Sequence, residues 1–347
     1  MTRAINLPRG LDLIWYTHNK LNQIKLSRSN SLEVARPSSV MIELTNICNL
    51  KCITCAREYQ FGKAMKTGLM DYDLLKRIVD ELYPCVDSIG LTGLGETLLY
   101  NKLPQAVDYI RNKSKGIITF ISSNAHLNNI EKKIEPLAGK IDTLQISIDG
   151  IGEVYNSIRH KGDFDFFRNN LEKIGNIVRG TRTDLMLNAV IFEKNYHQMT
   201  EIIEMAASLN IAYVYFNSMN LVATDWPTDQ YSFYLRDEFK TELKKAIDLA
   251  VNSNVELSIF DFNTPPGFPK CGFPWNHFYI TWDGYVVPCC AKPFPLELNF
   301  GNVAEDSFLQ RLNSDSFKHF RKLWRKNQTP EFCQGCHMTD IPMVKCK

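Results

Sequence analysis

The chain has 347 residues, of which 44% are hydrophobic and 22% are charged, and these values exclude the disordered, collagen-like and coiled-coil classes. Forty lysines and arginines nearly balance 38 acidic residues, for a formal net charge of +2, which argues against a nucleic-acid-binding protein. The sequence contains neither a signal-peptide pattern nor an apolar stretch long enough to span a membrane. We therefore expect a cytoplasmic protein whose partners include neither nucleic acid nor membrane.

Ten cysteines fall mainly into two groups, one towards each end of the chain. The first group comprises Cys48, Cys52 and Cys55. The second group comprises Cys271, Cys289, Cys290, Cys333, Cys336 and Cys346, and Cys85 stands apart. In a cytoplasmic protein, clustered cysteines indicate metal or catalytic sites rather than disulfides. The spacing therefore predicts two metal sites.

From residue 40 to the second cysteine group, β-rich apolar runs alternate with segments of helical periodicity. The predicted strands are Val40–Leu44, Asp87–Thr92, Ile117–Ser122, Ile141–Ile148, Asp184–Ile191 and Ala212–Phe216. The predicted helices are Tyr72–Leu82, Lys102–Arg111, Asn128–Leu137, Phe164–Val178, His197–Leu209 and Thr228–Asn252. This alternation predicts an α/β fold with a parallel sheet of right-handed βαβ units, closed or partly closed into a barrel. Catalytic groups should then lie at the carboxyl ends of the strands.

Prolines near residue 264 mark a predicted domain boundary. We expect an irregular leader over residues 1–37, the barrel over residues 38–264 and a small cysteine-rich domain over residues 265–347. In the last of these, Asp283-Gly284 lies between two apolar runs, which predicts a tight β-hairpin.

The first cysteine group reads Cys48-Asn-Leu-Lys-Cys52-Ile-Thr-Cys55 and directly follows the first predicted strand. A structural zinc site needs four protein ligands, and the nearest further thiol lies beyond a predicted helix. A [4Fe-4S] cluster held by three cysteines leaves one iron open, and this fits the spacing better.

This loop, together with motifs at the ends of the following strands, resembles the radical S-adenosylmethionine (SAM) enzymes. The resemblance implies a partial (β/α)6 TIM-like barrel and a [4Fe-4S] cluster whose open iron is chelated by SAM. It also implies reductive cleavage of SAM to a 5′-deoxyadenosyl radical. One departure is Thr54, since the family usually places an aromatic residue before the third cysteine and packs it by the adenine. The residue that packs against adenine is therefore unassigned.

The resemblance also implies a set of contacts to SAM. The segment Gly93-Leu94-Gly95-Glu96 looks like the family's Gly-Gly-Glu segment, in which Glu96 would accept from the methionine ammonium. Ser147 and Arg159 would hold the carboxylate. The full set of candidate SAM contacts is Gly93, Gly95, Glu96, Ser122, Asn124, Ser147, Asp149 and Arg159.

Simpler structural roles remain open for three of these residues. Glu96 also suits a helix cap, and Asp149 before Gly150 suits a turn. Arg159 also suits a surface ion pair.

The C-terminal cysteines resemble the auxiliary-cluster appendage called SPASM, in its shortened or twitch form. The resemblance implies that Cys271, Cys289, Cys333 and Cys336 bind a second [4Fe-4S] cluster, giving two clusters and SAM as the cofactors. A zinc ribbon is the alternative that uses the same spacing.

The twitch arrangement resembles the aminocyclitol dehydrogenase of butirosin biosynthesis, so the favoured function is a radical SAM oxidoreductase. The expected substrate is a small polar molecule, namely a sugar, cyclitol or nucleotide-linked sugar, and the auxiliary cluster would accept its electron. The expected electron donor is flavodoxin-like or ferredoxin-like. The alternatives are an epimerase, a peptide maturase and, more remotely, an iron–sulfur electron carrier. The epimerase would use Cys85 or Cys290 as hydrogen donor.

Overall fold

The computed structural model describes residues 7–259 and 271–336. Its β-strands are β1 Ser39–Ile42, β2 Lys51–Cys52, β3 Ser88–Gly90, β4 Ile118–Ser123, β5 Thr143–Ser147, β6 Arg159–His160, β7 Asp184–Ile191, β8 Tyr213–Ser218, β9 Glu256–Ile259, β10 Phe278–Ile280 and β11 Val286–Val287. Its α-helices are α1 Leu11–Arg28, α2 Gln60–Ala64, α3 Tyr72–Leu82, α4 Leu103–Lys113, α5 Ile130–Ile134, α6 Glu153–Ile158, α7 Phe164–Val178, α8 Met199–Ser208, α9 Asp237–Asn252, α10 Phe273–Asn276, α11 Phe308–Leu312 and α12 Asp315–Arg325. None of the helices in these residues is long and apolar enough to cross a bilayer.

The described residues form two compact units. The first unit contains residues 7–47, 64–121 and 271–333, and the second contains residues 48–63, 122–259 and 334–336. Cys346 and the predicted boundary at residue 264 lie outside the described residues.

In the first unit, the strands are hydrogen-bonded in the order β11-β10-β1-β3-β4. Strand β1 is parallel to β3 on one side and to β10 on the other. Strands β10 and β11 form the antiparallel hairpin that Asp283-Gly284 predicts, and Gly284 has φ +90°, which favours glycine. The C-terminal segment therefore extends the same sheet that begins with β1.

In the second unit, four parallel strands are hydrogen-bonded in the order β5-β7-β8-β9. Side chains alternate between buried and half-buried along β5, β7 and most of β8, as the pleat of a strand requires. Helix α7 begins where Asp163 accepts a hydrogen bond from the Phe166 amide, and it buries Phe167, Leu171 and Ile174. The core of this unit is therefore built from one strand face and the apolar stripe of the helices.

The predicted alternation of strands and helices is confirmed, with three differences. Strand β9 is an additional parallel strand that the sequence reading missed. The predicted helix Thr228–Asn252 is a 3₁₀ helix over Thr228–Leu235 followed by α9, because Arg236 takes an extended conformation with ψ 145°. The third difference is the leader, which is not irregular, since it contains the 18-residue helix α1.

Candidate functional site

The first cysteine group lies on a compact loop of the second unit. Strand β2 carries Cys52 and pairs with β6 so that Cys52 lies opposite Arg159. The Cys55 amide donates to the Cys52 carbonyl at 3.1 Å, and a 3₁₀ helix over Ala56–Glu58 follows at once. These bonds turn the chain tightly, so the three thiols project from one short loop.

The thiols of this loop are held in a partly buried environment. Burial raises the pKa of Cys52 to about 12 and that of Cys55 to about 11. Arg159 opposes the rise at Cys52, whereas the neighbouring thiols Cys48 and Cys55 reinforce it. Thiolates are the ligands of an iron–sulfur cluster, and the iron supplies the positive charge that buried thiolates need. This set of donors fits a cluster bound through three cysteines. Among residues 7–259 and 271–336, no three His, Cys, Asp or Glu side chains are arranged as ligands around one point.

Two asparagines fix the position of the loop around Cys48. The Asn124 side-chain amide donates to Asn49 Oδ1 at 2.9 Å and lies 3.6 Å from Cys48 Sγ. Asn49 in turn donates to the His126 carbonyl at 2.6 Å. The structure therefore uses Asn124, a predicted SAM contact, to anchor the cysteine loop. Ser122, its neighbour on β4, is half-buried.

Arg159 lies in a buried ion pair rather than at the surface. Its Nη2 is 2.8 Å from Asp149 Oδ2, and both side chains are less than a tenth exposed. Burial alone would lower the pKa of Arg159, but Asp149, Cys52, Tyr155 and Cys48 together outweigh burial and raise that pKa. The other Asp149 oxygen accepts from the Val190 amide at 2.9 Å. Asp149 is thus the partner that holds Arg159 in place.

Arg159 retains one donor for a ligand. Its Nε is buried and has no hydrogen-bond partner. A guanidinium fork with a free N–H fits a carboxylate such as that of SAM. Ser147, the other predicted contact to the carboxylate, lies at the end of β5 opposite Asn188 and is half-buried.

In the first unit, the segment Gly93-Leu94-Gly95-Glu96 packs against the chain that leads to the cysteine loop. A Cβ at Gly93 would lie 2.4 Å from Glu43 Cγ, and one at Gly95 would lie 2.4 Å from the Thr45 carbonyl oxygen. Glycine is required here because the two chain segments approach closely. The Glu96 amide donates to the Ile47 carbonyl at 2.8 Å, and Ile47 directly precedes the first cysteine.

Two carboxylates support this segment. Glu96 is buried, and its Oε1 accepts from the Leu98 amide at 3.0 Å, so it caps the 3₁₀ helix Thr97–Leu99. Glu43 is also buried and accepts from the Leu94 amide at 2.9 Å and from the Tyr279 hydroxyl at 2.7 Å. Burial raises the pKa of Glu43 to about 7, against the effect of the Tyr279 hydrogen bond. Glu43 therefore connects the Gly-rich segment to β10.

Three of the four predicted ligands of the auxiliary cluster, Cys271, Cys289 and Cys333, belong to the first unit. Burial raises the pKa of Cys271 to about 11, and the nearby Cys289 adds to the shift. Burial also raises the pKa of Cys289, whereas hydrogen bonds from the backbone amides of Lys292 and Ala291 lower it in part. Amide hydrogen bonds to cysteine sulfur stabilise a thiolate and tune cluster potentials. The Phe273 amide acts in the same way on Cys271.

Lys292 connects the turn after Cys289 to the segment that carries Cys333. Its ammonium donates to the Phe332 carbonyl at 3.0 Å and lies 4.3 Å from the centroid of the Phe332 ring. Two cysteines that are distant in sequence are thereby linked through one side chain. Cys336 is half-buried and belongs to the second unit.

Family models match both cysteine regions. A model described as the radical SAM superfamily matches residues 42–206. A second, described as the SPASM iron-sulfur cluster-binding domain, matches residues 271–337. This chain therefore carries a radical SAM domain followed by a C-terminal SPASM domain. As a radical SAM protein with a SPASM domain, it uses SAM and more than one [4Fe-4S] cluster.

Curated relatives align with most of this radical SAM protein. The tungsten-containing aldehyde ferredoxin oxidoreductase cofactor-modifying protein of Pyrococcus furiosus is 26% identical over 322 residues, which cover 86% of this chain and 87% of that protein. The PqqA peptide cyclase of Bradyrhizobium diazoefficiens is 25% identical over 345 residues, which cover 93% of this chain and 85% of that protein.

A solved structure shows the same fold. Streptococcus suis SuiB bound to the precursor peptide SuiA superposes with a TM-score of 0.67 at 16% identity, over 100% of this chain and 80% of that chain. The predicted α/β radical SAM fold with a C-terminal SPASM domain is confirmed.

The two further cysteines that were candidates for a hydrogen donor have different surroundings in this radical SAM protein. Cys85 is buried, and its Sγ lies 3.9 Å from the Trp15 carbonyl oxygen of α1. Cys290 is half-buried beside the predicted ligand Cys289. A catalytic role for either residue stays a prediction.

Sequence reasoning missed Glu43 and Asn49 as supports of the site. A signal was present for Glu43, because it is a lone acidic residue within the apolar run Val40–Leu44. For Asn49 the sequence carries no such signal, because asparagine is a common residue in any loop.

Proposed function

We propose that this radical SAM protein is a maturase that modifies a peptide substrate. The observation that carries the proposal is the alignment of PqqA peptide cyclase with 93% of this chain. The complex of SuiB with the precursor peptide SuiA supports it at the level of the fold. Peptide modification therefore replaces oxidation of a small polar alcohol as the favoured function.

The expectation of a sugar or cyclitol substrate rested on the likeness of the single auxiliary cluster to the twitch type. That likeness does not exclude peptides, because a peptide-acting relative aligns along nearly the whole chain. Oxidation of an aminocyclitol remains the competing outcome of the test below.

The proposed roles of the residues follow from the site. Cys48, Cys52 and Cys55 would hold the first cluster, and Cys271, Cys289, Cys333 and Cys336 the auxiliary cluster. When bound, the first cluster and SAM supply the 5′-deoxyadenosyl radical that abstracts a hydrogen atom from the substrate. Asp149 orients Arg159 towards the SAM carboxylate, and Glu43 and Glu96 fix the Gly-rich segment that would approach the ammonium group.

The test is anaerobic incubation of the reconstituted protein with dithionite, SAM and synthetic peptides encoded by short reading frames beside its gene. A parallel reaction contains an aminocyclitol. We expect 5′-deoxyadenosine together with a modified peptide, detected by mass spectrometry in H2O and in D2O. Loss of two hydrogens would indicate cross-linking or oxidation, and one added deuterium would indicate epimerisation. Turnover of the aminocyclitol with every peptide unchanged would refute the proposal.

A further inference from the structure

A cavity of about 350 Å³ opens in the second unit at the carboxyl ends of two neighbouring strands. Phe192, which follows β7, and Met219, which follows β8, both line it. Its volume falls at the lower end of the range for ligand pockets. Ligands of α/β proteins bind at this end of parallel strands. Its position therefore suits a small part of a substrate.

Aromatic and aliphatic side chains form the walls of the cavity, and hydrogen bonds hold them in place. The Tyr234 hydroxyl accepts from the Met219 amide and donates to the Ile191 carbonyl, each at 2.7 Å. The Phe192 ring meets the Trp226 ring edge-on with centroids 5.7 Å apart. Leu221, Phe233 and Tyr234 are each less than a twentieth exposed. The cavity is thus built into the fold and needs no rearrangement to exist.

One wall of the cavity is joined to the cysteine loop. Trp226 Nε1 donates to the Tyr59 hydroxyl at 3.1 Å. That hydroxyl donates in turn to the carbonyl of Ile53 at 2.5 Å, and Ile53 lies between the predicted ligands Cys52 and Cys55. Two hydrogen bonds therefore connect the cavity wall to the backbone of the cluster loop.

The charges around the cavity favour an uncharged guest. The charged residues that line it are two acids and two bases, namely Glu193, Asp225, Lys194 and Arg236. Arg236 pairs with Glu193 at 2.7 Å, and both side chains are about half exposed. This balanced, solvated rim provides no concentration of basic groups for a phosphate. The apolar walls beneath it stabilise a hydrocarbon surface removed from water.

We propose that this cavity is a specificity pocket that accepts an apolar, uncharged side chain of the peptide substrate. The inference rests on the proposed peptide function and adds the class of residue that is recognised. The Trp226–Tyr59–Ile53 connection keeps the pocket in a fixed place relative to the cysteine loop. A bound side chain would therefore hold the neighbouring peptide backbone in a defined position.

Single-residue probes test the pocket without turnover. The apolar probes are N-acetyl-phenylalaninamide and N-acetyl-leucinamide, and the charged probes are the N-acetyl amides of lysine and glutamate. Their dissociation constants are measured by ligand-observed NMR on the anaerobic holoprotein. Gln230→Trp adds bulk at the exposed rim, Leu221→Trp adds bulk from inside, and Gln230→Ala is the matched control. We expect the apolar probes to bind the wild-type protein about tenfold more tightly than the charged probes do. In the two filled variants, Gln230→Trp and Leu221→Trp, the affinity for the apolar probes should fall about tenfold, whereas Gln230→Ala should change it little.

The pocket assignment is overturned if the apolar probes bind both filled variants as they bind the wild-type protein. It is equally overturned if the charged probes bind the wild type as tightly as the apolar probes do. SAM affinity, measured in the same samples, should stay unchanged and verifies that the variants are folded. Because these probes are not turned over, this result is independent of the peptide-modification assay, so failure of the pocket and failure of the proposed function are distinguishable.

Discussion

At the scale of single residues, the buried pair of Arg159 and Asp149 has the clearest consequences for SAM. The two side chains neutralise each other in a buried site, while Arg159 Nε is left without a partner. Breaking a buried pair from one side leaves an uncompensated charge. The role of the pair in stability and its role in binding can therefore be separated by substituting one residue or both.

Arg159→Ala is expected to destabilise the protein by about 3–5 kcal/mol, because Asp149 stays buried without its cation. It should also weaken SAM binding by about 1.5–3 kcal/mol through loss of a charge-assisted hydrogen bond. The double variant Arg159→Met with Asp149→Asn should recover stability but not SAM affinity. Thermal unfolding and SAM titration of the anaerobic protein measure the two effects. Wild-type SAM affinity in the double variant would exclude Arg159 as a SAM contact.

We expect Glu43 to make the stability of the protein depend on pH. Its pKa rises from an ordinary value of 4.5 to about 7 because it is buried. Between these values the folded state holds a proton that the unfolded state has released, so stability falls as the pH rises through this window. A pKa shift of this size corresponds to about 3 kcal/mol in the free energy of unfolding.

Glu43→Gln should remove this dependence, because an amide can still accept from the Leu94 amide and does not ionise. The variant should match the wild type near pH 5 and exceed it in thermal stability near pH 8. Glu204→Gln, an exposed change on α8, serves as the control. Parallel pH profiles for Glu43→Gln and the wild type would show that Glu43 does not titrate in this range.

Among the elements, helix α1 is distinguished by the polar side chains that hold it to the protein. Its polar side faces the protein, where Tyr16 donates to Asp87 at 2.8 Å and Asn19 bonds both the amide and the carbonyl of Arg36. Several of its apolar side chains are exposed, with Leu11 at 75% and Leu21 at 62% exposure. The helix is therefore held mainly by hydrogen bonds and lacks the buried apolar stripe of an ordinary surface helix.

This arrangement predicts which substitutions in α1 affect stability. Asn19→Ala should cost about 1–3 kcal/mol because the Arg36 backbone groups lose their partners. Leu21→Ala, the matched control, should change stability by less than about 0.5 kcal/mol because its side chain is already in water. Thermal unfolding of the holoprotein compares the two. The reverse order of effects would mean that a partner covers Leu21 in solution.

At the scale of the whole molecule, the two cysteine groups set the number of clusters. Four cysteines of the C-terminal group have ligand spacing in addition to the N-terminal three. The reconstituted protein should therefore contain about eight iron atoms per chain, and replacing Cys48, Cys52 and Cys55 with Ala should leave about four. Iron and zinc analysis of both proteins measures this. Zinc in the C-terminal site or about twelve irons in the wild type would contradict the count.

Local patterns of the sequence are enough to predict the cysteine chemistry and the order of the strands and helices. The cysteine spacings and the strand-end glycines are local patterns. The helix caps are local too, because Asp71 caps α3 and Asp163 caps α7 through backbone amides of the first helical turn. The predicted strand Asp184–Ile191 and helices Tyr72–Leu82 and Phe164–Val178 match the observed bounds, because hydrophobic periodicity reports which face of an element is buried.

The residues that support those patterns can be identified only from contacts between distant segments of the folded chain. Asn124 anchors the Cys48 loop, Asp149 holds Arg159, and Glu43 joins the Gly-rich segment to Tyr279 across more than 200 positions of sequence. The parallel pairing of β10 with β1 is likewise a long-range contact. A hydrogen bond or ion pair between distant segments leaves no periodic signal along the chain, because its partners meet only after the sheet has brought them together.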